Sequence, residues 1–145
     1  MKEALLNTII KNSLTWAHKI SDSGIHNKLP CDGFGMYNDK PLYWEAKMLP
    51  KPRAFNFSRL EDHQLEALST IKGLGGDGVI AVLIICVNYG RGDKRVFVFT
   101  DMEEIARRKE LGLSIKKKEF DNNPHYVRIE RGKIDFSTLI DRPRS

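Results

Sequence analysis

The sequence predicts an α/β protein in which a mixed β-sheet is flanked by helices, all within one domain. Three observations predict it. Hydrophobic periodicity runs helix, strands, helix, strands, helix along the chain. Residues 79–87 form a near-continuous apolar run, as in a central strand covered on both faces. A length of 145 residues holds one core comfortably, but not two. The domain is expected to span 1–145, with its core over about 3–110 and a C-terminal extension over 111–145.

Residues 3–20 read as an amphipathic helix, because Leu5, Leu6, Ile9, Ile10, Trp16, Ala17 and Ile20 gather on one broad face. Residues 21–24 break it. Two extended segments follow, roughly 31–37 and 41–48, with Asn38-Asp39 as the turn signal between them. A basic, proline-bearing connection covers 51–57. Ser58, with Glu61 three residues on, predicts a capping box and a helix running to Lys72, stopped by Gly73. The glycine-rich stretch 73–78 lacks the Gly-Lys-Ser/Thr ending of a phosphate-binding loop and reads as a turn. Residues 94–100 read as the hairpin partner of 79–87. Thr100 and Glu103 predict the start of a third helix reaching about Glu110, and a short strand is expected near 126–130.

Composition narrows the function. A net charge of +5 and an isoelectric point of about 9.2 suit a polyanionic partner. No apolar run reaches the ~18 residues of a membrane span. The opening Met1-Lys2-Glu3-Ala4-Leu5-Leu6 alternates too quickly for a secretory signal, so a cytoplasmic location without a membrane partner is expected. Cys31 and Cys86 lack metal-ligand spacing and read as reduced, packed thiols. His18, His26, His63 and His125 lack zinc spacing, and no structural metal is expected.

The chemistry sits in Pro30-Cys31-Asp32-Gly33-Phe34-Gly35 and Tyr43-Trp44-Glu45-Ala46-Lys47. Side chains alternate along a strand, so Glu45 and Lys47 share one face while Leu42, Trp44, Ala46 and Met48 share the other. If Asn38-Asp39 is a two-residue loop, Tyr37 pairs with Lys40 and Asp32 lies opposite Glu45, with Cβ atoms about 5 Å apart. A four-residue loop would set Asp32 opposite Lys47 instead. Two carboxylates that close repel unless one is protonated or a cation lies between them. A hard divalent ion resolves the conflict. Asp32 and Glu45, helped by the Ala46 carbonyl, would hold Mg²⁺ (or Mn²⁺ in its place) against a scissile phosphate, and Lys47 would orient the attacking water. The plainer reading of Glu45 and Lys47 is a surface ion pair worth about 0–1 kcal/mol.

Gln64 is an amide on the stripe of Leu60, Leu68 and Ile71, and it needs a partner from the backbone or from the site. Glu3 borders the apolar face of the first helix, close enough to reach the sheet, or else it simply favours the helix dipole. Lys51, Arg53 and Arg59, joined by Lys28, suit a phosphate-gripping surface. The basic runs 107–109 and 116–118 are alternatives for that task, and charge runs are usually solvated surface.

In order and spacing, Asp32-Gly33-Phe34-Gly35, Glu45-Ala46-Lys47, Phe55-x-Phe57 and His63-Gln64 resemble the RecU family of Holliday-junction resolvases. Ile25-His26-x-Lys28 also fits, and the similarity covers roughly residues 3–105. The resemblance implies a PDDEXK restriction-endonuclease-like core in which Asp32 and Glu45 are metal ligands and Lys47 is catalytic. It places Gln64 near the site and matches Glu3, loosely, to an acidic residue that contributes to metal binding. It also implies a homodimer that nicks two opposed strands of a four-way DNA junction. The family's basic stalk before the hairpin aspartate is missing, since only Leu29, Pro30 and Cys31 separate Lys28 from Asp32. The last forty residues match no part of the pattern that the motifs carry. A general or restriction-like nuclease of the same fold, and a DNA-binding recombination accessory without turnover, remain the competing readings.

Overall fold

The computed structural model describes residues 1–19 and 31–140. Helix α1 (Glu3–Ser13) leads into β1 (Trp16–Lys19), β2 (Gly33–Tyr37), β3 (Lys40–Leu49) and β4 (Phe55–Asn56). A 3₁₀ turn (Phe57–Arg59) precedes α2 (Asp62–Gly75), and a second one (Gly76–Gly78) leads to β5 (Ile80–Asn88), β6 (Lys94–Phe99) and α3 (Met102–Glu110). The chain closes with β7 (Ser114–Ile115), α4 (Lys117–Asn122), β8 (Val127–Arg128) and α5 (Phe136–Ile140).

Six strands form one sheet in the order β1-β2-β3-β5-β6-β8. Only β3 and β5 run parallel; the other neighbours are antiparallel. The sheet is therefore mixed, as the sequence predicts. β4 and β7 make a separate two-stranded ribbon.

The apolar run predicted for a central strand is β5, and its side chains divide between two cores. Val82, Ile84 and Cys86 join Leu6, Ile9 and Ile10 of α1 and the even residues Leu42, Trp44, Ala46 and Met48 of β3. Ala81, Leu83, Ile85 and Val87 join Leu65 and Leu68 of α2, Met102 and Ile105 of α3, and Phe120 of α4. Helices thus cover both faces. The two cysteines are free and buried, as expected.

Several boundaries differ from the sequence reading, each for a local reason. The first helix ends at Ser13, whose hydroxyl donates to the Ile9 carbonyl, and Leu14 turns extended. Trp16 and Ala17, expected on the helical face, instead lie in β1 and extend the sheet beyond β2. Ile20 and the break at 21–24 fall outside the described residues. The second helix does not start from Ser58. The Asn56 side chain accepts the Ser58 N–H and builds the 3₁₀ turn, while Glu61 donates its N–H to Gln64 Oε1 at the helix start. The helix also passes Gly73 and ends at Gly75, where Gly76 takes a positive φ of 55° that glycine allows. The third helix is capped by Asp101, which accepts the Glu104 N–H, and not by Thr100.

Residues beyond 110 are woven into both layers. Ile115 and Phe120 lie in the core with α2 and α3, Ile134 and Phe136 lie in the core with α1, and β8 pairs with β6 inside the predicted 126–130 segment.

Gly33 explains part of the Asp-Gly-Phe-Gly pattern. It pairs with Trp44, and a Cβ at Gly33 would collide with the Trp44 indole. The indole lies fully buried beneath it and donates its Nε1 proton to Asn7 Oδ1 at 2.9 Å, tying β3 to α1. Replacing Gly33 by Ala should cost about 1–3 kcal/mol of stability by overpacking. Gly73→Ala, exposed on α2 with open space around its Cβ, should gain about 0.5–1 kcal/mol. Urea melts of the two variants should move in opposite directions.

Candidate active site

The site is set by the β2–β3 hairpin. Asn38 takes a left-handed φ of 54°, which Asn tolerates, and Tyr37 pairs with Lys40. The loop therefore has two residues, and the four-residue alternative falls away. The register ends at Gly33↔Trp44, and one residue further stands Asp32, whose N–H still donates to the Trp44 carbonyl at 3.0 Å.

β3 continues past the end of β2, which leaves a stretch of its edge without a strand partner. Backbone groups there need other acceptors and donors. The Asp32 Oδ2 atom accepts the Ala46 N–H at 2.8 Å, and Glu3 Oε1 accepts the Met48 N–H at 3.2 Å. Arg59 Nη2 donates both to the Met48 carbonyl at 3.1 Å and to Glu3 Oε1 at 3.2 Å. Two carboxylates and a guanidinium do for this edge what a neighbouring strand would have done.

Glu45 and Lys47 project from the opposite face to Trp44 and Met48, as strand alternation requires. Glu45 is only 1% exposed, the one charged residue fully buried among those described. Its Oε2 accepts from Gln64 Nε2 at 3.0 Å and lies 3.5 Å from Lys47 Nζ. Its Oε1 is buried without a hydrogen-bond partner among the described residues. Burial, then the nearby Asp32 carboxylate, pushes Glu45 up to about 8, with Lys47 opposing the rise. Gln64 uses both ends of its amide, one on the helix start and one on Glu45. Both partners that the sequence left open are therefore in use.

Asp32, Glu45, Ala46, Lys47 and Gln64 are thus brought together. Glu3 stands along the same strand but at Met48. Among the described residues, no three His, Cys, Asp or Glu side chains gather closely enough to hold a metal ion. Arg59 is engaged with Glu3, whereas Lys51 and Arg53 are exposed on the connection after β3. Lys28 lies outside the described residues. The alternative basic runs are largely occupied: Arg107 and Arg108 pair with Glu104, Lys109 with Asp62, and Lys117 with Asp121. Sequence reasoning missed Asn7, since nothing local links it to Trp44, 37 residues away.

The family model for RecU, recombination protein U, matches residues 2–142. The chain belongs to the RecU family. The match extends well beyond the 3–105 carried by the motifs and takes in the C-terminal segment, so residues 111–142 are part of the RecU pattern. This RecU chain is also similar to Hjc, a Holliday junction resolvase from Archaeoglobus fulgidus, at 21% identity over 82% of this chain and 86% of that one, with a TM-score of 0.49. Comparison with curated proteins gave no match. Among the described residues, no helix is long and apolar enough to cross a membrane.

The raised Glu45 carboxyl makes a stability prediction for metal-free protein. Below about pH 4.5 folded and unfolded chains both hold the proton, and the buried group carries no ionisation penalty. As pH rises toward 8 the unfolded chain releases the proton while the folded one retains it, so stability falls across that window. Glu45→Gln should remove this loss, and its advantage over wild type in EDTA should grow from pH 5 to 8, reaching on the order of a few kcal/mol. Denaturant melts at several pH values read the difference.

Proposed function

We propose that this chain is a metal-dependent, structure-selective DNA endonuclease of the PDDEXK type that resolves four-way (Holliday) junctions by paired phosphodiester hydrolysis. The observation that carries this reading is Glu45, a buried carboxylate beside Asp32 and Lys47 with one oxygen that has no hydrogen-bond partner among the described residues. A purely structural strand does not need that arrangement, because an orphaned buried acid is costly. Membership of a recombination-protein family supports DNA as the substrate.

The donor set fits a hard divalent cation. Mg²⁺ binds through one or two carboxylates and otherwise keeps water and substrate phosphate as ligands. Asp32 and Glu45 would hold it, with the Ala46 carbonyl beside them and Mn²⁺ as a substitute. When bound, the ion supplies Lewis-acid stabilisation of a phosphate oxygen and a more acidic water.

The residues around it have separable tasks. Asp32 is fixed by the Ala46 N–H, so its carboxylate cannot swing away from Glu45. Gln64 holds the Glu45 carboxylate through Oε2, which leaves Oε1 to bind the ion. Lys47 orients the attacking water and offsets charge building on the phosphate oxygens. Glu3 and Arg59 hold the far end of β3, and Glu3 comes to the ion only if it leaves Met48. Lys51 and Arg53 grip the flanking backbone, with Lys28 assigned the same role. Two opposed nicks on a two-fold substrate call for a homodimer.

The test is cleavage of a labelled four-way junction beside matched duplex and single strand, in Mg²⁺ and in EDTA. Paired, symmetric nicks at the junction are expected, lost in EDTA. Asp32→Asn should lower the rate by about 10²-fold or more while keeping DNA affinity, since cation charge stabilisation is worth several kcal/mol. Gln64→Ala should cost roughly 10–100-fold, as for other groups that orient a metal ligand. Equal cutting of all three substrates would leave a general nuclease of the same fold. Tight binding without cleavage would remove the catalytic assignment.

A further inference from the structure

We infer that Trp16, Phe34 and Tyr43 form an aromatic shelf that stacks an unpaired nucleobase of the DNA strand whose phosphate enters the Asp32–Glu45 site. The inference rests on the nuclease reading and adds to it the feature of DNA that is recognised.

Register places the three rings on the catalytic face. Tyr43 precedes Glu45 by two residues on β3, so the two side chains share a face about 7 Å apart along the strand. Phe34 is the cross-strand partner of Tyr43, with ring centroids 5.8 Å apart and planes inclined by 26°. Trp16 carries the row onto the edge strand, 5.7 Å from Phe34. Its neighbour Ala17 faces the other way, into the core with α1. The row therefore begins beside the carboxylates and crosses three strands to the rim of the sheet.

Trp16 is 55% exposed, whereas Trp44 is fully buried. A tryptophan left in water beside a catalytic centre is available for stacking, and base–aromatic stacking tolerates every base. Charge selects which part of a nucleotide lies there. Asp32 and Glu45, at the inner end of the row, repel phosphate wherever no cation intervenes, so the strip beyond them suits the uncharged base. Continuous duplex keeps its bases paired and stacked, while a branch point offers bases that can be splayed out. The shelf thereby gives this face a preference for branched over continuous DNA.

The protein contains two tryptophans, which makes the test direct. Acrylamide quenching of emission reports Trp16, because Trp44 is buried. Titration of the Asp32→Asn variant with a four-way junction in Mg²⁺, where strands stay largely intact, should quench Trp16 and shield it from acrylamide. Trp16→Ala should weaken junction affinity by about 5- to 150-fold, the range for one lost base stack, and leave duplex affinity nearly unchanged. Trp16→Tyr should restore most of the loss. Undiminished acrylamide access with junction bound, or equal loss of duplex and junction affinity, overturns the shelf. Shielding that appears without DNA and grows with protein concentration also overturns it, by assigning the face to a second copy of the chain. Junction cleavage in Mg²⁺ without shielding sinks the shelf alone. Shielding without cleavage supports the shelf and sinks the nuclease reading, and absence of DNA binding sinks both.

Discussion

Everything in the site depends on one register, that of the β2–β3 hairpin. Tyr37 meets Lys40 across a two-residue loop, and from that pairing follow Gly33 against Trp44 and Asp32 beside Glu45. A slip of one residue would send Glu45 and Lys47 into the α1 layer and Trp44 out of it. Two features guard against the slip. The Trp44 indole fits only beneath a residue without a Cβ, and its N–H finds Asn7 only from that position. The same geometry that packs one face of β3 therefore sets Glu45 and Lys47 on the other.

The second constraint is electrostatic. Glu45 is buried almost as completely as the leucines around it, yet it carries an ionisable group with an unsatisfied oxygen. Gln64 and Lys47 compensate in part, through a hydrogen bond and an ammonium at 3.5 Å, and Asp32 works against them. The protein alone does not balance this cluster. On the proposed reading a divalent cation would do so, since two neighbouring carboxylates repel unless one is protonated or a cation lies between them.

Much of this was legible in the sequence because it rests on short-range rules. Strand alternation indicated the faces of Glu45 and Lys47, turn chemistry at Asn38-Asp39 narrowed the register to two choices, and the unbroken apolar run over 79–87 marked the central strand. What was hidden depends on distant partners. Trp16 and Ala17 fit a helical stripe as well as a four-residue strand, and only pairing with β2 decides between them. Ser58 is a good helix start by its type, but the Asn56 side chain accepts its N–H in a 3₁₀ turn, and the helix begins three residues later from Glu61. Glu3 was legible as an acid near the sheet, but its attachment to the Met48 N–H follows from where β2 stops. Ile115, Phe120, Ile134 and Phe136 are spaced too irregularly to announce a core face, although all four are buried.

The layer beneath β3 is built from the two ends of the described chain. Ser13 accepts a hydrogen bond from the Ile134 N–H, 121 residues away, and Phe136 shares a core with Leu6, Ile9 and Ile10. A ribosome delivers α1 early and these closing residues more than a hundred peptide bonds later. Until they emerge, the layer that α1 shares with β3 and β5 lacks Ile134 and Phe136. The packing beneath β3 is thus completed only after residues 134–136 have left the ribosome.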